Sequence, residues 1–261
     1  MIVLDGVERG GDAMRITVAG SGDAFGSGER FQTCIALGDP GVGAHTLVDC
    51  GATSLVALRR QGLDPNAIET VLVSHLHGDH FGGLPFLILD GQFRRRTTDL
   101  TVVGPPGTRE RLEQAMETLF PGSSGVRRRF AVHVREHADR RPFSTERFTA
   151  TPFEVRHASG APAYALRVED AGQGGTVAYS GDTEWTDALI DASAGADVFF
   201  CEGYSPAPVR WHLDLDALAA NRHRLGCRRL LLTHMSPSAL AADLSDWETA
   251  DDGLTLVTSG G

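Results

Sequence analysis

Short apolar or alternating segments, most of them bounded by glycine, serine or proline, recur along this chain of 261 residues. Segments of this kind predict buried or half-buried β-strands. Several of them are followed, within two residues, by a histidine or a carboxylate. These segments are Thr70–Val73, Phe153–Arg156, Thr176–Ser180, Asp197–Cys201 and Arg229–Thr233. Because strand ends from distant parts of a chain can meet at one edge of a sheet, the pattern indicates a polar site at that edge.

Fewer segments favour helices. Two prolines lead into a predicted helix over Thr108–Leu119, where a proline suits the first turn. A second helix is predicted over Leu215–Leu225, and the β-like segment Leu254–Val257 is expected to close the edge of a sheet. The chain contains no evident linker. Residues 1–261 are therefore predicted to form one domain, whose two β-rich halves meet within residues 141–150.

The segment that follows Thr70–Val73 is the richest in possible metal ligands. It contains His75, His77, Asp79 and His80. Neutral imidazole and carboxylate are the ligands that zinc and neighbouring first-row metals prefer. His75 and His77 can face the same side of an extended turn, whereas Asp79 and His80 can turn toward a second ion. A hydrophobic strand has little structural reason to end in this way, so we predict a metal site.

The ordered motifs of the chain resemble those of the metallo-β-lactamase-fold hydrolases. The motifs are His75-x-His77-x-Asp79-His80, His157, Ser180-Gly181-Asp182-Thr183 and Leu232-Thr233-His234. The flanking segments are similar to the ribonuclease Z-like branch of that family; they are Leu47–Gly51, His80–Pro85 and Leu232–Pro237. The resemblance implies an α/β fold, a four-layer αββα sandwich of two mixed β-sheets flanked by helices.

The same resemblance implies a dinuclear centre with seven ligands. One ion would be held by His75, His77 and His157. The other would be held by Asp79, His80 and His234, with Asp182 bridging the two. Seven ligands are too many for one tetrahedral ion, and a pair of ions about 3.5–4 Å apart can clamp the attacking and leaving oxygens together. The ions are divalent, with zinc as the default and manganese or iron as alternatives, and a hydroxide shared between them is the expected nucleophile.

Hydrolysis of a phosphodiester also requires a proton for the departing oxygen. Glu202 follows the strand-like segment Asp197–Cys201, and His212 precedes the second predicted helix. The resemblance implies that Glu202 supports His212 as the general acid, and Asp79 is counted with them among the catalytic residues. The alternative is a surface histidine and a strand-end carboxylate with no joint role. Asp49, which also ends a strand-like segment, is expected to hold a ligand histidine by a hydrogen bond.

Charge and composition restrict the possible substrates only in part. The net charge is −10, and all 24 basic residues are arginine. Arg94–Arg147 holds twelve arginines against seven acidic residues, which allows a rim that contacts phosphate. A solvated surface is the favoured interpretation, because an acidic chain repels a long polyanion. The remaining histidines, His45, His133, His137 and His223, are expected to be solvated.

We therefore expect a metal-dependent hydrolase, most simply a phosphodiesterase with a small-molecule or short phosphodiester substrate. Transfer RNA is less favoured, because no long inserted arm is evident and Cys50–Ser54 departs from the ribonuclease Z pattern. The alternatives are a lactonase, thioesterase or β-lactamase-like hydrolase on the same metal pair, and a non-catalytic metal-binding module. The four cysteines show no paired spacing and no signal peptide is evident, which favours the cytoplasm. No membrane partner is expected, and a homodimer is left open.

Overall fold

The computed structural model describes residues 14–172 and 174–258. Two sheets of seven strands each lie at its centre. The first sheet contains β1 Arg15–Gly20, β2 Cys34–Asp39, β3 Gly43–Val48, β4 Thr70–Leu72, β5 Leu100–Gly104 and β6 Val132–Glu136. The second contains β7 Phe143–Ser144, β8 Phe148–Val155, β9 Ala163–Asp170, β10 Thr176–Tyr179, β11 Val198–Glu202, β12 Arg229–Thr233 and β13 Glu248–Thr249. The last strand, β14 Thr255–Val257, returns to the first sheet and pairs with β1 at its edge, as its β-like pattern predicts.

Both sheets are mixed. The first has the order β14-β1-β2-β3-β4-β5-β6 and the second has the order β13-β12-β11-β10-β9-β8-β7. In the first sheet the pairs from β3 to β6 are parallel. In the second sheet the pairs from β10 to β13 are parallel. The carboxyl ends of the central parallel strands therefore provide two neighbouring edges from which side chains can converge.

Alternation along the strands produces the layers. Leu72 of β4 and Phe200 of β11 point into a core shared by the two sheets. Their neighbours point the other way: Val71 packs in the core between the first sheet and its helices, and Phe199 packs in the equivalent core of the second sheet. Since successive side chains of a strand face opposite sides, each central strand is buried on both faces. The predicted four-layer arrangement is confirmed.

Seven helices cover the outer faces in the described part of the chain. They are α1 Ser54–Arg60, α2 Gly78–Phe81, α3 Leu84–Phe93, α4 Thr108–Leu119, α5 Ala188–Ser193, α6 Leu215–Asn221 and α7 Pro237–Leu240. The first predicted helix matches α4 in both bounds. The second is shorter than predicted, because a single 3₁₀ turn at residues 222–224 follows α6. None of these helices is both long and apolar enough to cross a bilayer.

One of the histidines expected in solvent is buried. The His137 side chain lies against the backbone of β4, with Nε2 3.2 Å from the carbonyl oxygen of Val73. Burial lowers the pKa of His137 to about 4, although the hydrogen bond to Val73 opposes it. The expectation of a solvated residue was wrong because His137 follows β6 and turns back over the end of the parallel strands. His133 and His223 are exposed, as expected, and His45 is half-buried on β3.

Candidate metal centre

The turn after β4 brings its four ligand candidates to the carboxyl end of that strand. His75 and His80 are fully buried, Asp79 is nearly so, and His77 is half-buried. His77 has an extended backbone and directly precedes α2, which is a single turn. The change from extended to helical backbone after His77 directs Asp79 and His80 away from His77. The extended turn and short helix thus separate the four residues into two pairs, as the spacing predicts.

Three histidines form the first cluster. His157, which follows β8 in the second sheet, reaches the turn that follows β4 of the first sheet. Its Nε2 atom lies 3.1 Å from Nδ1 of His77, and the His75 and His157 rings are 4.8 Å apart between centroids. One ligand atom from each of His75, His77 and His157 lies within 4.8 Å of the others.

Two histidines and two carboxylates form the second cluster. The Nε2 atoms of His80 and His234 are 3.3 Å apart. His234 Nε2 lies 3.2 Å from Asp79 Oδ2, and His80 Nε2 lies 3.3 Å from Asp182 Oδ1. These four side chains are buried. Ring nitrogens and carboxylate oxygens thus converge on one small volume, a geometry that suits a cation.

Asp182 lies between the two clusters. Its Oδ2 atom is 3.8 Å from His75 Nε2, 3.9 Å from His157 Nε2 and 3.5 Å from His234 Nε2. The preceding Gly181 has φ +61°, and a Cβ atom there would lie 2.8 Å from the carbonyl oxygen of Tyr164. Glycine is therefore required for the turn that directs Asp182 into the centre. The structure brings all seven predicted ligands together.

The unpaired atoms of the cluster fit metal ions. His75 Nε2 is buried and has no hydrogen-bond partner within residues 14–172 and 174–258. Burial lowers the pKa of His75 well below its ordinary value, although Asp182 opposes this effect. The ring is therefore neutral, which is the form that binds a metal. His75 Nε2 faces the Asp182 carboxylate across 3.8 Å. Burying this nitrogen without a hydrogen-bond partner costs free energy, whereas a cation between the two groups would give both of them a partner.

The histidines of the second cluster titrate differently in the metal-free protein. Burial lowers the pKa of His234, but the charge of Asp182 and the hydrogen bonds to Asp79 and Glu202 outweigh it and raise the pKa to about 10. The pKa of His80 is also raised, because Asp182, Asp79 and Asp49 outweigh its burial. Without a cation, the carboxylates therefore retain protons on these rings. A divalent ion would take the place of those protons.

Asp49 holds the turn and one of its histidines. Its Oδ2 atom accepts from His80 Nδ1 at 2.7 Å and from the Ser74 hydroxyl at 2.7 Å. Its Oδ1 atom accepts from the Ser74 backbone N–H at 2.7 Å. The contact directs His80 Nε2 toward the cluster, and the expected hydrogen bond between Asp49 and one of the predicted ligand histidines is present.

Glu202 and His212 form a pair beside the cluster. Glu202 is fully buried at the end of β11, and its Oε1 atom is 2.5 Å from His212 Nδ1. Its Oε2 atom accepts from the backbone N–H groups of Thr183 and Leu213, at 2.7 and 3.1 Å. Burial lowers the pKa of His212, but Glu202 and Asp182 outweigh it and the pKa is raised. Ligand atoms of Glu202 and His212 also lie within 4.8 Å of those of Asp182 and His234, so the pair adjoins the metal centre.

Two residues of this region were not found from the sequence. The Tyr204 ring stacks on His212, and the Trp211 carbonyl accepts from His157 Nδ1 at 2.7 Å. Trp211 has φ +72°, a conformation that non-glycine residues rarely adopt. The position of Trp211, directly before His212, was the one available signal. Neither contact joins residues at a sequence separation that a motif would reveal, because both depend on the path of the loop between β11 and α6.

The three consecutive arginines at residues 94–96 do not lie in the same environment. Arg94 and Arg95 are exposed, whereas Arg96 is buried. The Arg96 guanidinium donates to backbone carbonyls, including those of Pro65 at 3.2 Å and Asp99 at 3.0 Å. The expectation of either a solvated or a phosphate-contacting side chain was wrong for Arg96, which instead joins the loops before β4 and β5.

Known proteins are similar to this chain in sequence and in fold. The model of the Beta-lactamase superfamily domain matches residues 44–235. The ribonuclease Z of Geobacillus kaustophilus (strain HTA426) is 28% identical, over 85% of this chain and 88% of that protein. The uncharacterized protein Rv1339 of Mycobacterium tuberculosis (strain ATCC 25618 / H37Rv) is 32% identical, over 92% of this chain and 88% of that protein.

Two solved structures have a similar fold. The metallo-β-lactamase fold protein YhfI from Bacillus subtilis has a TM-score of 0.75 at 22% identity, over 94% of this chain and 99% of that one. A diphosphatase from the PhnP family has a TM-score of 0.72 at 20% identity, over 93% of this chain and 97% of that one. The matched residues 44–235 contain all seven ligand candidates, Glu202 and His212. The chain belongs to the β-lactamase superfamily.

Proposed function

We propose that this chain is a metal-dependent phosphodiesterase in which His212, supported by Glu202, protonates the departing oxygen. The observation that carries the proposal is the Glu202–His212 pair, in which Glu202 is fully buried and His212 Nδ1 lies 3.9 Å from the Asp182 carboxylate at the centre of the cluster. An acid is of most use where the leaving group is a poor one, as in an ordinary phosphodiester. The names of two relatives, a ribonuclease and a diphosphatase, agree with phosphoryl chemistry.

The proposed centre holds two divalent ions, with zinc as the default. His75, His77 and His157 would hold one, and Asp79, His80 and His234 would hold the other, with Asp182 between them. When bound, the ions would supply an activated water and neutralise charge on the phosphate. The chain itself orients two of these rings, through Asp49 for His80 and through the Trp211 carbonyl for His157.

The acid role of His212 follows from its two nitrogens. Nδ1 is occupied by Glu202, so a proton on Nε2 is the one that the ring can donate. The carboxylate stabilises the protonated ring, as the raised pKa indicates, and keeps the acid charged near neutral pH. After transfer, the proton on Nδ1 remains paired with Glu202, and the neutral ring can recover a proton from water.

We propose a short phosphodiester as the substrate rather than a folded transfer RNA. The described residues contain no long arm: the segment between α4 and β8 holds only β6 and β7. The net charge of −10 opposes the approach of a long polyanion. A short phosphodiester carries one or a few charges, which two divalent ions could balance.

The test begins with metal analysis followed by activity on matched substrates. Thymidine 5′-(p-nitrophenyl phosphate) and a thymidine dinucleoside phosphate share a phosphoryl group but differ in leaving group, a stable phenolate in one and an alkoxide in the other. In the His212→Ala variant we expect turnover of the dinucleotide to fall by about 100-fold or more. Turnover of the nitrophenyl ester should change far less, and exposed His133→Ala should match the wild type on both.

Two results would refute the proposal. One is a wild-type protein that contains its metal, hydrolyses lactones or thioesters, and leaves both phosphodiesters intact. The other is a His212→Ala variant whose rates on the two phosphodiesters fall by the same factor, because an acid acts through the leaving group.

A further inference from the structure

The Tyr204 ring covers one face of His212. The ring centroids are 4.2 Å apart and the planes are inclined by 20°, which is a stacked arrangement. The His212 and His234 rings are also nearly parallel, at 14° and 5.9 Å. Tyr204 and His212 are both half-buried, so the stack lies near the surface and not in the core. The sequence pattern assigns no role to this tyrosine.

The backbone fixes Tyr204 alongside the segment that carries His212. The Tyr204 N–H donates to the carbonyl of Leu213 at 2.9 Å, and the Tyr204 carbonyl accepts from the Ser236 N–H at 3.1 Å. Ser205 and Asp214 form a parallel bridge just beyond. The ring therefore has a defined place relative to His212, set from β11, from the loop before α6 and from the loop after β12.

Glu202 and Tyr204 restrain the imidazole in different ways. Glu202 holds the Nδ1 edge, and a single hydrogen bond of this kind still lets the ring rock about its axis. Tyr204 lies against the face and opposes that rotation. An aromatic face also attracts a protonated imidazole, so the contact is strongest in the form that donates a proton. Together the two residues fix the orientation of the ring, and with it the direction in which Nε2 points.

We propose that Tyr204 is a positioning residue for His212, acting through ring stacking and not through its hydroxyl. This inference rests on the proposed function of His212 as the acid. The prediction is specific: a ring without the hydroxyl should suffice, and an apolar side chain without a ring should not. Loss of the stack should slow hydrolysis of a substrate with a poor leaving group, because that leaving group needs the proton. Hydrolysis of a substrate with a good leaving group should be nearly unchanged.

The experiment compares Tyr204→Phe with Tyr204→Leu in metal-loaded protein, using the two thymidine substrates described above. We expect Tyr204→Phe to stay within about twofold of the wild type on both substrates. We expect Tyr204→Leu to lose roughly tenfold on the dinucleotide, through kcat, and less than about twofold on the nitrophenyl ester. Thermal unfolding of both variants separates this effect from a loss of folded protein.

A second measurement does not use turnover. In protein with ¹⁵N-labelled histidine, the Nδ1 proton that His212 shares with Glu202 should give a downfield resonance, identified by its absence from His212→Ala. We expect the resonance to persist in Tyr204→Phe and to broaden through exchange with water in Tyr204→Leu. An unchanged resonance in Tyr204→Leu, or none in the wild type, would overturn the inference.

The kinetic outcomes distinguish this inference from the proposed function. If Tyr204→Leu falls equally on both substrates, or Tyr204→Phe falls as far as Tyr204→Leu, stacking does not position the acid. In that case the loss of activity in His212→Ala can still be larger on the dinucleotide than on the nitrophenyl ester, and the proposed function stands. If His212→Ala shows no such dependence, the proposed function itself fails, whatever the Tyr204 variants do.

Discussion

His157 Nδ1 donates to the carbonyl oxygen of Trp211 at 2.7 Å, and Trp211 is the residue before His212. A ligand of the proposed centre and the proposed acid are thus joined through one peptide unit. Trp211 has φ +72°, and its N–H donates to Glu184 at 2.9 Å. This left-handed conformation turns the carbonyl toward His157 and the next side chain toward Glu202.

Substitutions at Trp211 should separate its backbone from its ring. Glycine adopts positive φ without strain, whereas a β-branched residue there is strongly disfavoured. We expect Trp211→Gly to bind metal nearly as tightly as the wild type and Trp211→Val to bind it about 10–100-fold more weakly. Both variants lose the ring, so each controls for the other. Equal metal affinity in competition with a chelator would contradict the prediction.

Asp49→Asn should weaken metal binding without unfolding the turn. Asparagine is of equal size and tolerates the φ of +58° found at Asp49. Asparagine lacks the negative charge of the carboxylate to which His80 and Ser74 both donate. We therefore expect the variant to bind metal about 10–100-fold more weakly. Titration with a competing chelator measures this change, and affinity equal to that of the wild type would show that His80 does not depend on Asp49.

Metal loading should release protons. Because the pKa of His234 is raised to about 10 in the metal-free protein, this ring is protonated at neutral pH and must lose its proton to become a ligand. We expect at least one proton released per chain at about pH 7, and an apparent affinity that increases as the pH rises toward 10. Calorimetry in two buffers of different ionisation enthalpy measures the release. Equal heats in both buffers, with an affinity independent of pH, would contradict it.

Glu202→Gln should move the alkaline limb of the pH–rate profile. The acid must be protonated, so activity falls as the pH rises through the pKa of His212. Burial lowers this pKa and the charge of Glu202 helps to raise it; removing that charge lowers the pKa, so the limb should shift to lower pH. Values of kcat/KM for the dinucleotide measure the shift, with exposed Glu146→Gln as the control. A limb that stays in place would exclude Glu202 as the support of His212.

Arg96→Met should affect stability and leave chemistry unchanged. Arg96 is 4% exposed, and removal of its guanidinium leaves the backbone carbonyls of the loops before β4 and β5 without their partner. Each unpaired buried acceptor costs about 1–3 kcal/mol, so losing the partner of the two buried carbonyls, those of Pro65 and Ile68, should lower the free energy of unfolding by about 2–6 kcal/mol. Urea denaturation measures it, with exposed Arg95→Met as the control. A fall in activity per folded molecule would indicate that Arg96 contacts substrate.

The sequence predicts the parts of this site that follow from strand ends and misses the parts that follow from loop paths. His75, His157, Asp182 and His234 each come directly after a strand or within a few residues of one, so the sheet edges alone bring them together. Tyr204 meets His212 only because the intervening loop folds back on itself. That contact has no periodicity and no fixed spacing along the chain.

The same distinction explains the errors. His137 and Arg96 each lie next to polar or charged residues that favour solvent, and only the three-dimensional path of their segments buries them. His137 turns over the end of β4, and Arg96 reaches back to the loops before β4 and β5. In both cases tertiary contacts outweigh the local composition, which is all that a short segment of sequence reports.

The return of β14 to the edge of the first sheet has a consequence for the order of assembly. Residues 255–257 pair with β1, more than two hundred positions earlier, and His234, one of the proposed ligands, lies only about twenty residues before them. During synthesis, the first sheet cannot be complete until residues 255–257 have left the ribosome, and the proposed metal centre cannot be complete until His234 has done so. Pairings between such distant segments close slowly, so ion capture should come late in folding.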